Sequence, residues 1–184
     1  SLLVYNKEYD ELRKMSRVNG LTETTISTIA WSEEYEALII AYTSTNIDIL
    51  MDNLIYNIPD ISRKYIPGKK EISRIRISGK YAYLACSFGI VVIDIPKHEI
   101  FDTWKPGNGT TNPEVWDIAF GNGMVYAATG AGVWSADLSS AGLSWFGNWS
   151  LINSLPAPDG KYTAAVFSGS KLYVNHTGKN FAGD

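Results

Sequence analysis

The chain has 184 residues, 45% hydrophobic and 19% charged, which is enough to bury a sizeable core and too apolar for disorder. Sixteen Lys and Arg against nineteen Asp and Glu leave a net charge of −3, so the basic footprint of a nucleic-acid binder is missing. No stretch approaches the roughly 18 to 20 consecutive apolar residues of a membrane-spanning helix, and a single cysteine, Cys86, excludes an internal disulfide and a cysteine-based structural zinc site.

In chain order, short runs of β-branched and aromatic residues alternate with Gly, Asn, Asp and Ser turns, the pattern of strands joined by tight hairpins. Leu2-Leu3-Val4-Tyr5 and residues 12–15 come first and have the character of third and fourth strands. The start lacks an initiator Met and a signal-peptide layout, so a piece of a longer protein is expected. A repeat then sets in: Ile26-x-x-Ile29, Ile72-x-x-Ile75, Val115-x-x-Ile118 and Tyr162-x-x-Ala165 begin 46, 43 and 47 residues apart. Each is followed by a turn and a second apolar run, such as Tyr81-Ala82-Tyr83-Leu84-Ala85-Cys86. Gly89 and Gly132, each 17 residues after its repeat start, open third runs. These end in Ile93-Asp94-Ile95 and Ala136-Asp137-Leu138, and Ile47-Asp48-Ile49 falls at the same offset in the first copy. Fourth strands are expected at 12–15, 53–58 and 100–104.

A four-stranded antiparallel unit recurring every 40 to 50 residues is a β-propeller blade. The expected fold is therefore all-β: a single partial propeller over 1–184, with blades at 20–66, 67–107 and 108–150 and half-blades at 1–19 and 151–184. The halves can join as a fourth blade that closes a small ring, or stand at the ends of an open arc. Propellers of about six to eight blades favour the arc, whose edge strands are expected to self-associate.

Gly20-Leu21-Thr22-Glu23-Thr24-Thr25-Ile26-Ser27-Thr28-Ile29 resembles the opening of the two-component-regulator propeller repeat, and Val125 to Val133 resembles its later Gly-rich element, with Ala128 where a glycine is usual. A closer likeness runs through Ser16-Arg17-Val18-Asn19-Gly20-Leu21, Asn57-Ile58-Pro59-Asp60-Ile61 and Ala82-Tyr83-Leu84-Ala85-Cys86-Ser87-Phe88-Gly89-Ile90-Val91-Val92-Ile93-Asp94. These stretches resemble the N-terminal propeller of the PorZ family of the Bacteroidetes type IX secretion apparatus. The resemblance implies a non-enzymatic module outside the cytoplasm, at the outer-membrane surface or in the periplasm. Its implied partners are proteins of a surface assembly or an anionic lipopolysaccharide or other glycan. The alternatives are a periplasmic ligand-sensing propeller of a hybrid histidine kinase and a propeller-scaffold lyase or hydrolase.

Catalytic chemistry has few carriers. His98 and His176 form no metal-binding pair, no nucleophile elbow occurs, and Gly107-Asn108-Gly109 lacks a phosphate-loop lysine, so no catalytic residue, metal or cofactor is expected. His98 is expected to be a solvated turn residue and Cys86 a buried inert thiol. Asp48, Asp94 and Asp137 are expected to fix hairpins as Asx turns, one per blade. Arg74 and Asp117 share an offset on consecutive innermost strands and are expected to bridge blades, with Arg76 completing a basic rim that could meet an anionic glycan. Trp104, Trp145 and Trp149 fall in or beside connections, where aromatic faces stack on sugars or partner surfaces, and packing between blades is the alternative expected for most of them. The candidate binding residues are thus Arg74, Arg76, Trp104, Trp145 and Trp149, with 143–149 the segment expected to be exposed.

Overall fold

A computed structural model describes residues 1–110 and 112–178; the expected last half-blade is followed to Gly178, and the rest of its range lies outside the described residues. The first hairpin is β1 (Leu2–Asn6) and β2 (Glu11–Met15). The first blade is β3 (Ile26–Ser32), β4 (Ala37–Tyr42), β5 (Ile47–Met51) and β6 (Leu54–Ile58). A single helical turn, α1 (Asp60–Arg63), leads to the second blade: β7 (Ile72–Ser78), β8 (Tyr81–Cys86), β9 (Gly89–Asp94) and β10 (Glu99–Trp104). The third is β11 (Val115–Gly121), β12 (Met124–Thr129), β13 (Gly132–Asp137) and the two-residue β14 (Ser150–Leu151), which crosses the expected boundary at 150. A last hairpin pairs β15 (Tyr162–Ser168) with β16 (Lys171–His176).

Each blade is an antiparallel sheet in chain order, and the two terminal hairpins are separate two-stranded sheets. The array is therefore an open arc, as expected, because among the described residues no strand pairing joins its first and last hairpins. The first strands β3, β7, β11 and β15 pack side by side along the inner edge.

Strand alternation sends one face of each sheet to the preceding blade and the other to the next. Between the first and second blades lie Ile39, Ile49, Ile72, Leu84, Val91 and Ile93, all buried. Between the second and third lie Tyr83, Ile90, Val92, Ile118 and Val125. The repeat glycine has a packing reason: Gly89 sits at φ +132, and a Cβ there would lie 2.4 Å from the carbonyl oxygen of Trp104. Gly132 meets the Pro158 carbonyl in the same way at 2.3 Å, so the second turn of each of these two blades needs a residue without a side chain.

The three aspartates are not equivalent. Asp137 accepts from the Ser139 backbone N–H two residues on, as an Asx turn should, and Asp94 holds its hairpin by accepting from the Lys97 backbone N–H three residues on while it pairs with Lys80. Asp48 instead lies inside β5 opposite Asn57, fully buried. It accepts from the Tyr42 hydroxyl, the Thr22 backbone and hydroxyl, and the Asn57 amide. Four residues, 33–36, separate β3 from β4, against two in the corresponding hairpins of the other blades. A count of offsets through that longer turn and the longer β4–β5 connection puts a mid-strand aspartate where the hairpin belongs. Burial, then the bond to Asp48, pushes the Tyr42 hydroxyl well above its usual range.

Candidate functional site

The expected rim residues are committed to the fold. Arg76 donates from Nε and Nη2 to the two carboxylate oxygens of Asp117 at 2.9 and 2.8 Å, a two-pronged pair that suits the planar guanidinium. Arg74 stands 3.5 Å from the same carboxylate. Asp117 is 1% exposed and also accepts the Ala165 backbone N–H of the last hairpin. One buried carboxylate therefore ties β7, β11 and β15 together. The inter-blade bridge exists, but Arg76 rather than Arg74 is its main arm.

The expected aromatic platform is divided. Trp104 is 7% exposed, donates to Asp102, and lies against Tyr83 and Trp149. Trp149 is 5% exposed and donates to the Leu143 carbonyl. These two take the blade-packing alternative, which removes them from the candidate binding residues. Only Trp145 of the three, 59% exposed beside Phe146, is presented. Arg74 and Arg76 belong to an inner strand and the tryptophans to the outer part of the seam, so the five expected residues form no single site. His98 is likewise not solvated: it adopts φ +55 and stacks on Tyr56 of the preceding blade at 3.6 Å between ring centres.

A groove of about 950 Å³ lies elsewhere, between the connection 59–67 and the outer strands of the second blade. Its far wall comes from β9 and β10: Val91, Ile100 and Thr103 face the first blade, with Phe88 above them and Lys105 at the strand end. The near wall is the α1 turn and the stretch 64–67. Ile61, 3% exposed, anchors that turn in the seam between blades, and this leaves Arg63, Lys64 and Tyr65 outside, Tyr65 at 87% exposure. Lys70 fixes the wall from behind by donating to the carbonyls of Ile61 and Ser62 at 3.0 and 2.7 Å.

The charge of the groove stands out against the rest of the blades. Between residues 20 and 151, Lys69, Arg74, Arg76, Lys80 and Lys97 are in ion pairs, and Lys70 is spent on carbonyls. The remaining Lys and Arg of that stretch are Arg63, Lys64 and Lys105, and all three line the groove, with Asp60 as the acidic residue among them. Uncompensated cations in a cleft with apolar walls concentrate a positive potential there. Sequence reasoning missed them because Lys105 is distant in sequence from Arg63 and Lys64. The available signal was the unusual length of the Pro-bounded connection 59–71.

Known proteins share this architecture. The family model described as "TSS9, PorZ, N-terminal beta-propeller domain" matches residues 1–150. The solved structure of PorZ from Porphyromonas gingivalis, described as an essential bacterial surface component of the type-IX secretion system, is 28% identical with a TM-score of 0.74. That match covers 90% of this chain and 23% of that one, so the chain spans about a quarter of its length. The extracellular domain of a putative hybrid two-component system from B. thetaiotaomicron matches at 14% identity and TM-score 0.63, over 89% of this chain and 24% of that one. A computationally designed protein, Ika4, matches at 11% and 0.56, over 86% and 95%. The last two show the fold alone. No curated protein matches the chain.

Proposed function

Because the chain belongs to the PorZ N-terminal β-propeller family, we propose that it is a non-enzymatic binding module of a bacterial surface assembly, outside the cytoplasm, serving type IX secretion and cargo attachment. The match over residues 1–150 is the observation that carries this. The geometry supports binding over catalysis. Asp94 and Asp137 are spent on turns, Asp117 on a bridge and Asp48 on an internal network, whereas the groove offers cations with no ion pair among the described residues, beside apolar walls. Partner proteins of that assembly are the ligands this reading names. The two-component likeness, at 14% identity, adds nothing to a sensing role.

The test is to tag the chain in its native context, crosslink it at the cell surface and identify what co-purifies, while measuring surface-attached cargo after its removal. Co-purified secretion components and cargo lost from the surface are expected. A changed transcriptional response with normal cargo attachment would replace this reading with the sensor one.

A further inference from the structure

We propose that the groove between connection 59–67 and the outer hairpin of the second blade docks an acidic peptide segment of a partner protein, seated by one aliphatic or aromatic side chain. This rests on the binding-module reading and names the class of partner.

Charge gives the first half of the argument. The chain is net negative, yet Arg63, Lys64 and Lys105 face one cleft with no ion-pair partner among the described residues, and Asp60 is the one carboxylate in the lining, so the cleft keeps an excess of positive charge. Like charges held together repel, and an incoming set of carboxylates relieves that repulsion while being steered toward the cleft.

The floor gives the second half. Ile100, Phe88 and Ile66, each half-buried, give the floor its apolar surface over a buried Val91. Of the hydroxyls nearby, Ser87 is already engaged in both directions, donating to the Lys69 carbonyl at 2.6 Å and accepting the Glu71 N–H at 3.1 Å. On the floor itself Thr103 is the polar side chain left to serve a ligand, while Asp60, Arg63, Lys64, Tyr65, Lys105 and Asn112 supply polar groups along the rim. A sugar laid on this floor would keep several hydroxyls unpaired, each at a desolvation cost. An apolar side chain loses nothing there, and its flanking carboxylates reach the cationic rim. The groove volume of about 950 Å³ lies inside the range of preformed ligand pockets, about 300–1,000 Å³. The Lys70 clamp holds its wall in place beforehand, which lowers the ordering cost of binding.

The experiment is a titration of the isotope-labelled chain with the peptides Glu-Glu-Leu-Glu-Glu and Glu-Glu-Gly-Glu-Glu, read by backbone amide shifts. Shifts should concentrate in 60–67, 87–91 and 100–105, with the Leu peptide several-fold tighter than the Gly one. The variant R63Q/K64Q/K105Q, which removes no ion pair among the described residues, should weaken binding about tenfold or more, and salt raised from about 50 to about 300 mM should weaken it several-fold. K70M keeps all three cations and should fall in between. Shifts outside the groove, equal affinity for the two peptides, or no response would overturn the proposal. Oligogalacturonate displacing the Leu peptide at lower concentration than the peptide itself would reassign the groove to a glycan. Co-purification with secretion components would still stand in those cases, so the two failures are separable.

Discussion

The outer hairpin of the second blade, β9–β10, is sealed on one face and only partly covered, along β10, on the other. Toward the third blade, Ile90, Val92 and Trp104 are covered by Leu143 and Trp149, 3% and 5% exposed. Toward the first blade, Val91 is buried, while Ile100 and Thr103 of β10 are half-buried at the groove. The cause lies in the connections. The outer strand of the third blade is only two residues long, and the freed segment 138–149 folds back into the seam, where the Leu143 carbonyl accepts the Lys105 backbone N–H. The first blade completes its outer strand β6, and the connection that follows seats Ile61 of α1 in the seam while Arg63, Lys64 and Tyr65 stand outside. One repeat unit can therefore stabilise or bind, depending on how fully the next connection fills the seam. The seams also differ at the inner edge, where Asp117 ties the second blade to the third and to the last hairpin.

The largest test of this contrast is Trp149→Ala. It empties the plugged seam and should cost about 3–5 kcal/mol in denaturant unfolding; a loss under about 1 kcal/mol would mean that the plug is decorative. Next comes Asp117→Asn, which keeps the shape but leaves Arg76 without its carboxylate. It should cost roughly 2–3 kcal/mol, less than a fully buried pair because Arg76 is partly exposed. An unchanged denaturation midpoint would remove Asp117 as the inner tie.

A third test uses pH and the seam beside the groove. Burial pushes the Cys86 thiol up to about 12 from the usual 9, so the folded state holds its proton more tightly than the unfolded one. The resulting stability is fully present below about pH 9 and drains away as pH rises toward 12, by about 1.4 kcal/mol per pH unit. Cys86→Ala should flatten that slope by about one proton, and a slope unchanged from the parent would show the thiol to be accessible. The smallest effect belongs to the groove: R63Q/K64Q/K105Q should shift stability by under about 0.5 kcal/mol, since exposed unpaired charges contribute little. A loss above about 1 kcal/mol would show that these cations serve the fold.

The strands and the blade period were legible because side-chain alternation and turn chemistry are local properties. Gly89 and Gly132 were visible as a repeat, although the carbonyls of Trp104 and Pro158 that require them were not. The Asp48 equivalence failed because both the β3–β4 and the β4–β5 connections are longer than their counterparts, and a turn absorbs length without a compositional mark. Packing between blades was legible for the tryptophans as a group, but not which of Trp104, Trp145 and Trp149 is buried, because only the refolded 138–149 segment decides which rings it covers.

The sequence by itself determined the propeller, the order of its sheets and the family, since each rests on short-range pattern repeated along the chain. Tertiary structure decided which cations are left over. Arg74 and Arg76 find Asp117 across a seam, and Lys70 finds carbonyls of its own connection. Arg63, Lys64 and Lys105 find no ion-pair partner among the described residues and are gathered in one groove. Charge pairing depends on distances of a few ångströms between distant parts of the chain, and those distances exist only once the blades have packed.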